Sequence, residues 1–145
     1  MPHIVLENIN STKEAYEAVI PFSNKIEGGI LKVMDKYINA NEQTALVESL
    51  AIENGKNQNF FIQLTQKKTS LTVRLLPLTD PEKTNGVKSI MASIAKQIKD
   101  TNEAVRYMFD PTFSIKNIDS FRYKIKLIFY QFRSKSELFH YPQYP

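Results

Sequence analysis

Apolar and polar residues alternate at the start of the chain. In PHIVLENI, residues 2–9, His3, Val5 and Glu7 share one parity and Ile4, Leu6 and Asn8 the other, the period of two that marks a strand. Ser11 then precedes Glu14 by three residues, the spacing of a capping box at a helix start. Apolar residues follow at Ala15, Val19, Phe22, Ile26, Ile30, Val33 and Tyr37. Their three-and-four spacing predicts the buried stripe of one amphipathic helix ending near Asn39. Pro21 removes a helical hydrogen bond, so this helix is expected to kink there or to be two helices in line. Gly28-Gly29 weakens its middle and permits close approach of another element.

The stretch TALVESLAIENGKNQNFFIQLTQKKTSLTVRLLPL is more specific. Up to Ala51 its composition also suits a helix ending at Gly55. Against that, Asn54-Gly55 is a strong hairpin signal, because both residues accept positive φ. A turn there pairs Glu53 with Lys56, which sets Val47 opposite Ile62 and Ser49 opposite Phe60. A second turn, centred on Lys67-Lys68, pairs Leu64 with Leu71, Ile62 with Val73 and Phe60 with Leu75. The two turns agree on one apolar face holding Phe60, Ile62, Leu64, Leu71, Val73 and Leu75, as burial of a single face requires. The prediction is a three-stranded meander. Phe61 and Arg74 then become cross-strand neighbours on the opposite face, beside Gln63 and Thr72.

Asp80 and Pro81 suit an N-cap and first helical residue. Val87, Ile90, Met91, Ile94 and Ile98 form the stripe of the helix that follows, with Lys88, Lys96 and Lys99 outside it. A short helical piece around Glu103 to Phe109 is expected next, stopped by Asp110-Pro111. In FRYKIKLIFYQF, residues 121–132, Tyr123, Ile125, Leu127 and Phe129 alternate with Arg122, Lys124 and Lys126, a final strand. The order is β-α-β-β-β-α-β. It predicts an α+β two-layer sandwich, an about five-stranded, mainly antiparallel sheet with two amphipathic helices on one face. No repeat or linker divides it, so residues 1–133 are expected to form a single domain and 134–145 a short C-terminal tail.

Composition narrows the function classes. At 145 residues and 42% hydrophobic, the chain is long and apolar enough to bury a core. No apolar run is long enough to span a membrane, and the opening MPHIVLENINSTKE turns polar too soon for a signal peptide. There is no cysteine, which excludes disulfides, thiolate metal sites and Cys nucleophiles and fits a reducing compartment. A cytoplasmic location is expected. The net charge of +4 permits an anionic partner without demanding one.

Three candidate chemistries remain. The first is the outer sheet face, where Phe61 and Arg74 would be joined by Arg122, Lys124, Lys126 and Tyr130. Cations interleaved with rings suit single-stranded nucleic acid, through phosphate contacts and base stacking. The same face suits a protein partner or a homo-oligomer contact. A non-enzymatic binding domain is the leading expectation.

The second rests on Pro2. MPHIVLE followed by a capped helix, and LTVRLLPLTDPEK leading into a second helix, resemble the tautomerase superfamily, especially its carboxymethyl-hydroxymuconate-isomerase-like members. The resemblance implies that Pro2, as mature N-terminus, is a general base whose amine pKa is lowered by ring burial and nearby positive charge. It makes Arg74 the best-placed substrate-binding arginine. The chain departs from that layout in an extra strand and a longer C-terminus.

The third group carries little. His3 and His140 stand at opposite ends of the chain, without metal-ligand spacing. Glu7, Glu48 and Glu53 form no pair that spacing establishes. No GxSxG, glycine-rich phosphate loop or HExxH motif is present, so neither metal nor cofactor is expected. PQYP near the end satisfies PxxP and suits an aromatic groove.

Overall fold

A computed structural model describes residues 2–108, all within the first of two compact units, Met1–Phe109 and Asp110–Pro145. The first strand is where the alternation put it: β1 spans His3–Glu7, with Ile4 and Leu6 buried. Ser11 caps α1, Thr12–Ala18, its hydroxyl accepting from the Glu14 N–H at 3.1 Å.

The long helix expected through residue 39 does not form. α1 stops at Ala18, and an antiparallel hairpin follows: β2, Phe22–Ile26, and β3, Gly29–Ile38. The reason is local cost. A helix through Pro21, Gly28 and Gly29 gives up about 3 kcal/mol at the proline and about 1 kcal/mol at each glycine. The hairpin uses all three. Pro21 sits just before a sheet-edge strand, and Gly28 turns the chain at φ 78°. Gly29 lies so close to the neighbouring strand that a Cβ would run into the Ile52 carbonyl oxygen. The apparent helical stripe is split between faces: Leu31 and Val33 are buried, while Ile30 takes the other parity.

The meander follows as β4, Thr44–Glu53, β5, Lys56–Lys67, and β6, Ser70–Leu75. Asn54 and Gly55 both have positive φ, and Glu53 pairs with Lys56, Val47 with Ile62 and Ser49 with Phe60. The second turn is centred on Lys68-Thr69, not Lys67-Lys68, with Lys68 at φ 57°. Ile62 therefore faces Leu75, and Leu64 faces Val73. The slip is two residues, an even number, so every side chain keeps its face. Phe60, Ile62, Leu64, Leu71, Val73 and Leu75 are all buried.

The second helix, α2, spans Asn85–Lys99 and is capped by Thr84 rather than Asp80. Glu53, at the end of β4, decides this. Its carboxylate accepts from the Gly86 N–H at 2.8 Å and from the Thr84 hydroxyl at 2.6 Å, so the helix begins where the sheet supplies an acceptor. Asp80 instead pairs with Lys83 at 2.7 Å. The stripe Val87, Ile90, Met91, Ile94 and Ile98 is buried as expected. The piece expected to be helical around Glu103 contains a two-residue strand instead, β7, Arg106–Tyr107, along β1. Among its described residues Val105 is the one buried apolar anchor, too little to hold a helical face, whereas the free edge of β1 offers backbone partners.

Among the described residues the sheet thus has seven strands rather than about five, in the order β2-β3-β4-β5-β6-β1-β7 with all these pairings antiparallel. It curls into a half-barrel rather than a flat sandwich layer. The α+β class stands. The strand expected at 121–132 and the boundary at 133/134 lie outside the described residues.

Glu53→Ala is expected to leave the Gly86 amide and the Thr84 hydroxyl without their acceptor, at a cost on the order of 1–3 kcal/mol. Urea unfolding should show a lower midpoint with unchanged slope. Glu53→Gln, which can still accept one hydrogen bond, should recover part of the loss.

Candidate binding face

Strand alternation gives the sheet an inner face, where both helices pack and side chains are 0–7% exposed, and an outer one. Among the described residues nothing covers the outer face. Its residues follow from the register. On β3 and β4 the outward cross-strand pairs are Ile30 with Ile52, Lys32 with Leu50, Asp35 with Glu48, and Tyr37 with Leu46. A bulge between Val33 and Asp35 makes this set possible. It returns Asp35 and Tyr37 to the outside and turns Lys36 inward, where its ammonium donates to the Tyr16 carbonyl at 2.8 Å and lies 4.4 Å from that ring's centre. A residue from β3 thereby caps the C-terminus of α1, which has no basic residue of its own in its last turn.

Phe61 lies next on β5, opposite Glu48, half-buried and held by its backbone. Its N–H donates to the Thr79 hydroxyl at 3.2 Å and its carbonyl accepts from the Leu76 N–H at 2.8 Å. The Tyr37 and Phe61 ring centres are 6.5 Å apart and inclined by 56°, within the range of a favourable aromatic pair. The Tyr37 hydroxyl donates to Glu48 at 3.4 Å. Desolvation, then the Asp35 and Glu48 carboxylates, hold its phenol above the ordinary tyrosine value.

Arg74 is on the same outer face and exposed, but it is not the cross-strand partner of Phe61. The shifted turn sets it opposite Gln63, to whose side-chain oxygen its Nε donates at 2.7 Å, and opposite His3 on β1. Pro2, just before that strand, is half-buried. Arg122, Lys124, Lys126, Tyr130, His140 and the PxxP segment lie outside the described residues. No group of three or more His, Asp or Glu able to hold a metal occurs among the described residues, and no helix there is long and apolar enough to cross a membrane. An open depression of about 490 Å³ lies beside the bulge, lined by Pro21, Phe22, Ser23, Lys32, Val33 and Met34. Lys32 is its one titratable group, so it offers no acid–base pair.

Sequence reasoning found Phe61 and Arg74 but missed Tyr37, Leu46, Leu50 and Ile52. Tyr37 falls on the apparent helical stripe. The other three were in plain view, because TALVESLAI is apolar at both parities, which in a strand signals two faces to be covered.

Compared with known proteins, no family model, curated protein or solved structure matches the chain.

Away from this face, Tyr107 supplies a pH marker for the β7 edge. Burial, then the Asp100 carboxylate, push its phenol up to about 12, although the residue stays 40% exposed, and Lys99 lies 5.7 Å from its ring centre. A raised phenol pKa means that the folded state keeps a proton the unfolded state has lost. Its contribution to stability is complete below about pH 10 and fades as pH rises through about 12. Tyr107→Phe should delete a phenol that ionises near pH 12 in an ultraviolet titration and flatten the loss of stability across that window.

Proposed function

We propose that this domain works by binding a protein partner on the outer face of its sheet. One observation carries the proposal: β4 turns its small residues inward and its large ones outward. Ala45, Val47, Ser49 and Ala51 face the helices, whereas Leu46, Leu50 and Ile52 face out and are half-buried. In a sheet with one face meant for water, the large aliphatics go inside, because each buried leucine or isoleucine contributes about 1.5–3 kcal/mol. An outer face of this kind, with an aromatic pair at its centre, has the character of an interface core.

The charges favour protein over nucleic acid. Glu48 stands directly opposite Phe61, with Asp35 beside it, so a phosphate backbone stacking its bases on Phe61 meets two carboxylates. Glu48, on the neighbouring strand, lies inside the roughly 8–10 Å over which charges are felt at physiological salt. Lys32 and Arg74 lie on either side, the mixed pattern of a protein interface rim.

A second reading keeps Pro2 as a general base. It is supported by strand order, since β1 lies against β6 and Arg74 stands opposite His3, the residue after Pro2. On this reading Pro2→Ala, or one residue added before Pro2, abolishes ketonisation of a small enol substrate, and Arg74→Ala raises its KM. Turnover that survives both changes at Pro2 removes it.

For the binding reading, a photo-crosslinking phenylalanine analogue placed at position 61 should give protein adducts in cells, identified by mass spectrometry, and Leu46→Asp should abolish them. The same analogue at Leu78, exposed in the loop after β6, is the control. Adducts to nucleic acid alone, or none at position 61, would overturn the proposal.

A further inference from the structure

The partner can be specified further. Resting on the binding reading above, we infer that the outer face of β3 and β4 takes a second copy of this chain, in an isologous contact with the strands of the two copies reversed. The argument is the order of the outward pairs. Along the ribbon they run Ile30–Ile52, Lys32–Leu50, Asp35–Glu48 and Tyr37–Leu46. In chemical terms this is apolar, basic, acidic, apolar. Reversed and laid on itself, the β3 order is its own complement, while on β4 the apolar ends match and Leu50 lies against the partner's Glu48.

A two-fold axis crossing the strands between the Lys32–Leu50 and Asp35–Glu48 levels performs that reversal. Each Lys32 ammonium meets the partner's Asp35 and Glu48 carboxylates, twice per dimer. Each Ile30 meets the partner's Tyr37, and each Ile52 meets the partner's Leu46. A two-fold contact requires this kind of self-complementarity, in which residue i meets j and j meets i. Translating one copy along the other by one level sets acid against acid in one direction and base against base in the other, so the charges also fix the register. The bulge after Val33 is essential to the arrangement. Without it, Asp35 and Tyr37 take the inward parity and the ribbon loses its acidic and aromatic levels.

The reversed order makes an unusual demand on charge-swapped variants. Lys32→Glu leaves each copy with three acids and no base at the contact, and the double variant Asp35→Lys/Glu48→Lys leaves each copy with three bases and no acid. Each variant alone should dissociate, with affinity lowered on the order of a hundredfold by like-charge contact. Mixed together they should form a one-to-one heterodimer, because every acid of one then faces a base of the other. Sedimentation of the full chain should give twice its 16.7 kDa for the native protein, near 16.7 kDa for each variant alone, and twice 16.7 kDa for the mixture. Raising the salt should weaken the native dimer.

A variant that merely misfolds fails to be rescued by mixing, and circular dichroism identifies it. In that event Lys32→Gln and Asp35→Asn, each expected to weaken the dimer without added repulsion, replace the swapped pair. A native chain that is monomeric across concentrations, or swapped variants that stay dimeric alone, would overturn the inference. A monomer that still yields position-61 adducts to a different protein removes self-association and leaves the binding reading standing.

Discussion

The carboxylate of Glu53 joins sheet to helix, and the rest of the structure takes its phase from that contact. It sits at the last position of β4, immediately before the Asn54-Gly55 turn, and holds the Gly86 amide and the Thr84 hydroxyl. Fixing the first turn of α2 fixes the rotation of the whole helix, so the stripe from Val87 to Ile98 meets the sheet along its length. Gly86 is required for the same reason. A Cβ there would press on the Glu53 carboxylate and on Leu31, forcing the helix away from the strand that positions it. An anionic side chain at a helix N-terminus is favourable in its own right, through the N–H groups and the dipole it faces. Here it also sets register, because Glu53 reaches the helix only if it points inward.

A second device holds the loops. Three glutamines use the side-chain amide as a stand-in for backbone. Gln97 on α2 accepts from the Ile20 N–H at 3.4 Å and donates to the Ile20 carbonyl at 3.1 Å, fastening the α1–β2 connection. Gln58 does the same to Glu82, accepting at 2.8 Å and donating at 3.5 Å. Gln66 donates to the carbonyls of Ile9 and Lys68, tying the β5–β6 turn to the end of β1. Connections that carry exposed apolar residues such as Ile20 and Leu78 are thereby held by polar geometry. Backbone groups that would otherwise go unpaired are satisfied by the same bonds.

What the sequence disclosed follows the same division between local and tertiary forces. The meander was legible because turn chemistry and two-residue periodicity are local, and an error of two residues in the second turn did no harm to the faces. The α2 stripe was legible for the same reason, although its start was not, since Glu53 lies 31 residues before Thr84. Residues 22–38 were misread because Ile26, Ile30, Val33 and Tyr37 satisfy a helical period by coincidence. The β-bulge shifts Tyr37 relative to Val33, and an irregularity in a strand imitates the longer period. Pro21 and Gly28-Gly29 argue against a helix, and their summed cost outweighs the apolar stripe. Half of the candidate face, Phe61 and Arg74, followed from the register. The β3 half depended on the hairpin and could not.

The large-outside, small-inside order of β4 links these threads. With Ala45, Val47, Ser49 and Ala51 inside, α1 and α2 can pack close on β4, and Gly86, Ala92 and Ala95 on α2 are small in turn. A slip of β4 by one residue exchanges its faces and drives Leu46, Leu50 and Ile52 into that close-packed space. On hydrophobic burial alone such a slip gains apolar area, so burial does not select the observed register. Selection falls to the shape of the cavity, since overpacking a tight core costs about 1–3 kcal/mol or more. It falls equally to Asn54-Gly55, which sets the pairing with β5, and to Glu53, which a slip would turn away from Gly86 and Thr84. The strand therefore carries on its outside the apolar bulk that its inside cannot accept. The contacts that hold the helix to the sheet are also the ones that hold this bulk on the outer face.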